Sequence, residues 1–179
     1  MVKKSCELFS RPVSTAWGTF DLKASKKGLL SISFPGKRSP KISQEMPKNI
    51  QTVFANSAKE LKKYIRWGAI KRSGIRVDDS RLSKMQKLML KKLSQVKEGE
   101  VRTYRWLAEQ CGIPKGARAI GQLLGSNPIP IFFPCHRIIR SDGSFGGFSG
   151  GEGWKEKLLN HEKLKKGCLV ESKANRPNR

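Results

Sequence analysis

The spacing of apolar residues changes along this chain from the period of a strand to the period of a helix. Two apolar triplets that alternate with polar residues flank a turn at Lys26-Lys27-Gly28, and this pattern predicts a β-hairpin. The triplets are Phe20, Leu22 and Ala24, then Leu30, Ile32 and Phe34. Beyond Pro40, apolar residues recur at helical spacing, at Ile50, Val53, Phe54, Ala58, Leu61 and Ile65. The first part of the chain is therefore predicted to combine strands with a helix.

The second half of the chain carries helical signals throughout. An apolar stripe predicts a core-facing helix and consists of Leu82, Met85, Leu88, Met89 and Leu93. Thr103 can cap a helix that Gly112 ends, and Pro114 can open another helix that runs to about Leu124. A last helix is marked by Trp154, Leu158 and His161. A helix, a short turn and a helix in a strongly basic chain predict a helix-turn-helix.

These patterns predict an α+β fold with two domains. Turn residues and a change of charge between Ser73 and Ser80 predict a linker. Residues 1–76 would then form a mixed strand and helix domain, and residues 77–166 a helical one. Residues 167–179 are basic and hold few apolar side chains, which predicts a disordered tail.

The net charge of +23, from 37 Lys and Arg against 14 Asp and Glu, favours polyanionic partners, because neutralised phosphates release condensed counterions. An anionic membrane would instead require a basic helix with a bulky apolar face, and residues 59–66 show ordinary core spacing. No apolar segment approaches the roughly 20 residues that span a bilayer. We therefore rank nucleic acid first as the partner. We expect a monomer in the cytoplasm, or in the nucleus of a eukaryote, with no membrane partner.

The cysteines Cys6, Cys111, Cys135 and Cys168 are far apart and form no Cys-x-x-Cys pair. This spacing predicts neither a zinc site nor a disulfide framework, so we expect no metal and no cofactor. The sequence leaves open a bridge between Cys6 and Cys168 or between Cys6 and Cys111.

Pro134-Cys135-His136-Arg137 places a nucleophile beside a base. A thiol with an ordinary pKa of about 8.5 is only slightly ionised at neutral pH, and a neighbouring histidine can take its proton. A free cysteine after an apolar run, here residues 129–133, is more often a buried core thiol. The motifs around the pair decide between these two interpretations.

Five linked motifs of residues 99–162 stand in the order and spacing of one family. They are Gly99-Glu100-Val101-Arg102-Thr103-Tyr104 followed by Leu107-Ala108, then Ala117-Arg118-Ala119-Ile120-Gly121, Asn127-Pro128-Ile129-Pro130, Pro134-Cys135-His136-Arg137-Ile138-Ile139 and Ser149-Gly150-Gly151. The chain thus closely resembles the O6-alkylguanine-DNA alkyltransferases, also called methylated-DNA–protein-cysteine methyltransferases. The part before the predicted linker matches only loosely, in its order of strands and helix.

The resemblance implies a ribonuclease-H-like first domain packed on a winged-helix-like second domain. It also implies transfer of an alkyl group from guanine O6 in double-stranded DNA to Cys135, with Tyr104 assisting the departure of guanine. His136, oriented by Glu162, would take the thiol proton through a water and lower the pKa of the thiol. Asn127 would brace the turn that leads to the active site. The thioether formed has no route to hydrolysis at neutral pH, so each molecule would act once.

The same resemblance assigns DNA contacts to the helix-turn-helix, whose second helix would lie in the minor groove. A thiolate cannot reach guanine O6 inside a stacked duplex, so Arg118 would enter the duplex and hold the space of an extruded nucleotide. Without the family motif, Arg118 would be read as a solvated helix residue. The DNA-binding set is Thr103, Gly116, Ala117, Arg118, Ala119 and Gly121. The pocket for the base is Pro130, Ile138, Phe148 and Ser149, together with the hydroxyl of Tyr104 and the carbonyl of Cys135.

Three other functions compete with this reading. Alkyltransferase-like proteins bind alkylated DNA without reacting, but they carry tryptophan where this chain has Cys135. A sequence-specific helix-turn-helix regulator would need base-reading side chains, and Gly116, Ala117 and Ala119 offer none. A zinc hydrolase would need metal-ligand spacing, which the two histidines and scattered cysteines lack.

Phe148 stands where some alkyltransferases have tyrosine, which removes one hydroxyl from the pocket.

Overall fold

The computed structural model describes residues 7–36, 45–71 and 74–166, with side chains as far as Glu162. The strands are β1 (Phe9–Thr15), β2 (Gly18–Ser25), β3 (Gly28–Ser33), β4 (Arg102–Thr103) and β5 (Ile138–Ile139). The helices are α1 (Lys48–Trp67), α2 (Lys84–Leu93), α3 (Tyr104–Gln110), α4 (Ala117–Gly125) and α5 (Trp154–Lys166). A 3₁₀ turn, Cys135–Arg137, leads into β5. The fold thus mixes helix and strand, and the expected tail, residues 167–179, lies outside the described residues.

β1, β2 and β3 form an antiparallel sheet in that order. The hairpin of β2 and β3 confirms the alternating pattern, whereas β1 is an additional strand whose pattern Pro12 interrupts. A strand at the edge of a sheet tolerates proline, because its outer N–H groups have no ladder partner. A bulge pairs Ala24 with Leu29, so Leu30 is half-buried. Leu29 is fully buried at the point where a regular alternation would bury Leu30.

Helix α1 packs its apolar face on this sheet, as its spacing predicts. The buried face consists of Ile50, Val53, Phe54, Ser57, Leu61, Tyr64 and Ile65. The helix ends at Gly68, whose φ of 67° is the left-handed conformation that glycine adopts without strain. The same apolar cluster includes Ile129, Phe132 and Leu158. The two predicted parts of the chain therefore share a core.

Residues 76–78 of the predicted linker lie along the outer edge of β3. The N–H of Leu29 donates to the carbonyl of Arg76 at 2.8 Å, and the N–H of Asp78 donates to the carbonyl of Leu29 at 2.9 Å. These bonds form a parallel bridge between Leu29 and Val77. The boundary between residues 76 and 77 stays a prediction, and the backbone around it is hydrogen-bonded to the sheet.

A second apolar cluster lies between α2, α3, α4 and the 3₁₀ turn, and it includes Met89, Leu93, Leu107, Ile120 and Cys135. Thr103 caps α3 as predicted, because its hydroxyl oxygen accepts a hydrogen bond from the N–H of Trp106 at 3.1 Å. Arg102 and Thr103 of β4 pair in parallel with Ile138 and Ile139 of β5. This pairing holds the start of α3 beside the 3₁₀ turn.

Helix α4 begins at Ala117, so the prediction that Pro114 opens it is wrong. Pro114 and Lys115 form a turn instead, and the N–H of Gly116 donates back to the carbonyl of Ile113 at 2.7 Å. A Cβ on Gly116 would lie 2.9 Å from that carbonyl oxygen, closer than van der Waals contact allows. The turn therefore delays the helix by three residues and requires glycine at its start.

Candidate active site

Cys135 opens the 3₁₀ turn at the base of the second cluster and is 4% exposed. The side-chain amide of Asn127 donates to its sulfur at 3.1 Å and to the carbonyl of Phe133 at 2.9 Å. The oxygen of the same amide accepts from the N–H of Ile129 at 3.1 Å. One buried side chain thus ties together both ends of the apolar run and the sulfur, which is the bracing role expected of Asn127.

His136 and Glu162 meet behind Cys135, where both side chains are fully buried. His136 Nε2 lies 2.8 Å from Glu162 Oε1. Arg137 donates from Nε to Glu162 Oε2 at 3.0 Å and from a terminal nitrogen to Oε1 at 2.8 Å. Its other terminal nitrogen donates to the carbonyl of Val96 at 2.6 Å. Arg137 therefore forms a buried ion pair with Glu162.

The protonation of this group follows from its hydrogen bonds. Burial acts to raise the pKa of Glu162, but the hydrogen bonds and charges of His136 and Arg137 outweigh it and hold that pKa well below its usual range. Burial lowers the pKa of His136, so its ring is neutral at neutral pH. An ionised carboxylate can only accept a hydrogen bond, so Nε2 carries the hydrogen and the neutral tautomer has its lone pair on Nδ1. Among the described side chains, His136 Nδ1 is buried without a hydrogen-bond partner.

Burial raises the pKa of the Cys135 thiol to about 11, although the hydrogen bond from Asn127 and the charge of Lys155 act to lower it. The net shift is upward, because desolvation of the thiolate outweighs the polar neighbours, and the lowering expected from His136 and Glu162 stays a prediction. At neutral pH Cys135 is a thiol. Its ionisation requires a base that removes the proton as the reaction proceeds, rather than a preformed thiolate.

A cavity of about 710 Å³ opens in front of the Cys135 sulfur. Its lining includes Tyr104, Ala117, Arg118, Gly121, Cys135, Phe148 and Ser149, as well as Arg105, Leu124, Gly125, Arg140, Ser141, Gly146 and Gly147. Gly146 has a φ of 67°, and a Cβ there would lie 2.8 Å from the Tyr104 hydroxyl oxygen. The wall opposite α4 therefore depends on a glycine that lets the Tyr104 hydroxyl reach the cavity.

Lys155 is a buried lysine that the sequence did not mark. Its ammonium group donates to the carbonyl of Ile138 at 2.6 Å and to the carbonyl of Phe145, and lies 3.5 Å from the Tyr104 hydroxyl oxygen. Burial lowers the pKa of Lys155 to about 8, although the neighbouring Cys135 acts to raise it. Lys155 thus bridges the glycine-rich segment to β5 and places a positive charge near the sulfur. Only the chain's folding brings these groups together, so no local motif could indicate them.

Comparison with known proteins places this chain in a family. Residues 84–164 match the family model described as 6-O-methylguanine DNA methyltransferase, DNA binding domain. A methylated-DNA–protein-cysteine methyltransferase of Methanosarcina barkeri is 34% identical over 146 residues, which cover 81% of this chain and 90% of that protein. The chain belongs to the methylated-DNA–protein-cysteine methyltransferase family.

Two further relatives define the extent of the likeness. The rat methyltransferase is 49% identical over 83 residues, which are 46% of this chain and only 40% of the rat protein's length. A crystal structure of Mycobacterium tuberculosis OGT in complex with DNA superposes with a TM-score of 0.72 at 29% identity, covering 87% of this chain and 93% of that one. The fold is therefore shared along most of the chain, while the 49% identity to the rat protein extends over less than half of it.

The residues singled out from the methyltransferase motifs fall into three groups. Those on the cavity wall are Cys135, Tyr104, Ala117, Arg118, Gly121, Phe148 and Ser149. Those behind it are His136, Glu162 and Asn127, together with Pro130 and Ile138, which are buried and do not line the cavity. Thr103 caps α3, Gly116 precedes α4, and Ala119 is exposed on α4.

The other sequence expectations bear on metals, disulfides and membranes. Within residues 7–36, 45–71 and 74–166, no three His, Cys, Asp or Glu side chains are grouped to hold a metal ion. In this same part of the chain, no helix has the length and apolar character needed to cross a membrane. Cys111 is a buried free thiol, and Cys6 and Cys168 lie outside the described residues.

Proposed function

We propose that this protein repairs DNA by moving a methyl or larger alkyl group from O6 of guanine to Cys135, once per molecule. The observation that carries the proposal is the position of the buried sulfur between an open cavity and a buried base whose Nδ1 is unpartnered. All of the groups involved belong to one chain, so we further propose that the protein acts as a monomer.

The reaction begins with transfer of the thiol proton. His136 is neutral and carries its lone pair on Nδ1, so it accepts the proton of Cys135 through a bridging water, as in the resembling family. Glu162 then faces an imidazolium across a 2.8 Å hydrogen bond and stabilises its charge. The high pKa of the free thiol matches this order of events, because the thiolate forms only when it has an electrophile to attack.

The thiolate attacks the alkyl carbon in line with the C–O bond. A C–S bond forms as the C–O bond breaks, and the electron pair of that bond leaves with guanine. Burial raises the pKa of Tyr104, so its hydroxyl is protonated and can donate to the leaving guanine. Guanine is restored and Cys135 becomes a thioether. Because a thioether is not hydrolysed at neutral pH, the protein has no route back to the thiol.

We propose that α3, residues 111–116 and α4 form a helix-turn-helix that binds double-stranded DNA. Ala117, Ala119 and Gly121 give α4 a surface of small side chains that allows close approach to the minor groove, and Arg118 is exposed at the rim of the cavity. Arg118 would fill the stack from which the alkylated guanine rotates into the cavity. The net charge of +23 supplies phosphate contacts, which carry affinity but no sequence preference.

Within the cavity, the flipped base would contact the Tyr104 hydroxyl, the backbone N–H of Ser149 and the carbonyl of Cys135. The carbonyl of Ile138, which the resemblance also implies as a contact of the base, belongs to a residue that does not line the cavity and already accepts a hydrogen bond from Lys155. Phe148 lines the wall, whereas Pro130, which the resemblance also implies for this pocket, is buried and does not line the cavity. For the fold, we propose a ribonuclease-H-like arrangement of β1 to β3 with α1, and a winged-helix-like arrangement of the rest.

The test uses duplex DNA that carries a radiolabelled O6-methylguanine. The wild-type protein should acquire the label, and peptide mapping should locate it on Cys135. Cys135→Ser should bind the same duplex with similar affinity and acquire no label. Label on Cys111 in the wild type, or label retained by Cys135→Ser, would refute the proposed acceptor.

A further inference from the structure

Helix α1 contributes a side chain to the buried group behind Cys135. Tyr64 is fully buried, and its hydroxyl donates to Glu162 Oε1 at 2.8 Å. The hydroxyl oxygen of Tyr64 also lies 3.4 Å from His136 Nε2. Tyr64 belongs to the first part of the chain, outside the matched residues 84–164 of the family model, and none of the sequence motifs includes it.

We propose that Tyr64 is a positioning residue that competes with His136 for Glu162 and so sets how firmly His136 can hold the thiol proton. The proposal rests on the alkyl transfer proposed above. Its geometric basis is that Glu162 Oε1 receives three hydrogen bonds, from Tyr64, from His136 Nε2 and from Arg137. Each additional donor reduces the negative charge available to the others.

The Tyr64 hydroxyl can act only as a protonated group. Burial raises its pKa well above the ordinary value, and the charge and hydrogen bond of Glu162 raise it further. It therefore donates to Glu162 throughout the working pH range. Aromatic contacts hold the Tyr64 ring. Its centroid lies 6.4 Å from that of Trp17, in an edge-to-face arrangement, and 5.8 Å from that of His161. The position of the hydroxyl is thus fixed by the packing of α1 and α5.

The charged and titratable groups that face His136 come from three elements. Glu162 and Lys155 lie on α5, Tyr64 lies on α1, and Arg137 follows in the 3₁₀ turn. Arg137 and Lys155 disfavour the imidazolium, and Glu162 favours it. Removing the Tyr64 hydroxyl takes a donor from Glu162 and leaves the other groups in place. The carboxylate then binds the imidazolium more strongly, and the pKa of His136 rises.

Tyr64→Phe retains the ring and removes only the hydroxyl. In the pH profile of the alkyl-transfer rate, the acid limb is the fall in rate as His136 becomes protonated. We expect this limb to move to higher pH by about half a unit to one unit, which corresponds to the free energy of one hydrogen bond to a charged group shared among several donors. The rate is measured against pH with free O6-benzylguanine, which needs no DNA. The control is Phe54→Leu, which lowers stability from the same buried face of α1 and should leave the acid limb unmoved. A Tyr64→Phe limb that coincides with that of the wild type would overturn the proposal.

A second measurement determines the protonation of His136 and requires no alkyl transfer. The chain has two histidines, so ¹⁵N-histidine labelling gives two imidazole signals, and His161→Ala, which removes one of them, identifies that of His136. At each pH at which both proteins are folded, Tyr64→Phe should hold more of His136 in the protonated form than the wild type does. Equal protonation in the two proteins would overturn the role of Tyr64. A wild type that transfers no alkyl group would instead refute the proposed function and leave the NMR comparison valid.

Discussion

The two sides of Cys135 are built differently. Behind the sulfur, Glu162 receives hydrogen bonds from His136, Arg137, Tyr64 and the N–H of Gly99, and its side chain is fully buried. In front of it, the cavity is walled by glycines, small residues and exposed cationic side chains. The polar group behind is therefore completed when the chain folds, whereas the front is completed only by a ligand. Substitutions behind the sulfur should alter chemistry and stability, and substitutions in front should alter recognition.

The largest effect should come from removing the base. His136→Ala should slow alkyl transfer to Cys135 by about 10²- to 10⁴-fold, the usual contribution of a positioned general base. Because the base acts on the thiol and not on DNA, the loss should be equal for duplex DNA and for free O6-benzylguanine. The rates are measured in single-turnover experiments. The matched control is His161→Ala, which removes the other histidine and should retain most of the rate; equal losses in the two variants would contradict the assignment.

The next largest effect concerns stability. Arg137→Leu removes the cation from the buried ion pair and leaves Glu162 without its main counter-charge. We expect the free energy of unfolding to fall by about 3 to 5 kcal/mol, as measured by urea denaturation. Arg81→Leu, which changes an exposed arginine, should alter it by less than about 0.5 kcal/mol. A small loss for Arg137→Leu would mean that the polar group behind the sulfur is not preorganised by folding.

On the front side, Arg118 offers a test of recognition. If its guanidinium fills the vacated stack, Arg118→Ala should slow transfer from duplex DNA roughly 10- to 100-fold, because flipping costs a few kcal/mol. Transfer from free O6-benzylguanine should be unchanged. Arg105→Ala is the matched variant, since Arg105 is also exposed at the cavity. It should weaken DNA binding, but at saturating duplex it should not slow transfer from duplex DNA more than transfer from free O6-benzylguanine. If Arg118→Ala slows transfer from both substrates equally, Arg118 is an ordinary surface charge and does not fill the vacated stack.

The smallest expected effect is at the helix that connects the two sides. Thr103→Ala removes the hydroxyl that caps α3 and should lower the free energy of unfolding by about 1 kcal/mol. Thr103→Ser retains the capping oxygen and should recover most of that loss. Both values come from the same denaturation assay. A rate of alkyl transfer that falls in Thr103→Ala more than in Thr103→Ser would show that this cap also positions Tyr104.

Local patterns predicted the parts of the molecule that local forces decide. The hairpin, the face of α1 and the Thr103 cap follow from periodicity and capping chemistry, and the family motifs indicated Cys135 with its two partners. The same patterns could not show the bulge that buries Leu29 and leaves Leu30 half-buried, because register depends on the partner strand. Nor could they show Tyr64 and Lys155, whose positions depend on how α1 and α5 pack.

The pKa of Cys135 illustrates the same limit. The neighbouring histidine in the sequence predicts an activated thiol, but desolvation depends on the depth of burial, which the surrounding fold decides. The adjacent residue His136 points its assigned base nitrogen into a buried space and not into solvent. A sequence motif can name the reacting groups, and the balance between burial and hydrogen bonding that sets their protonation requires the structure.

The central claim is that each molecule transfers one alkyl group and that Cys135 keeps it. The most direct test incubates the protein with an excess of duplex DNA containing O6-methylguanine, counts the guanines restored, and determines the intact mass of the protein at the end point. We predict one restored guanine and one methyl group on Cys135 for each protein molecule, with no further repair after longer incubation. Repair that continues beyond one guanine per molecule, or a protein whose mass is unchanged after repair, would contradict the account.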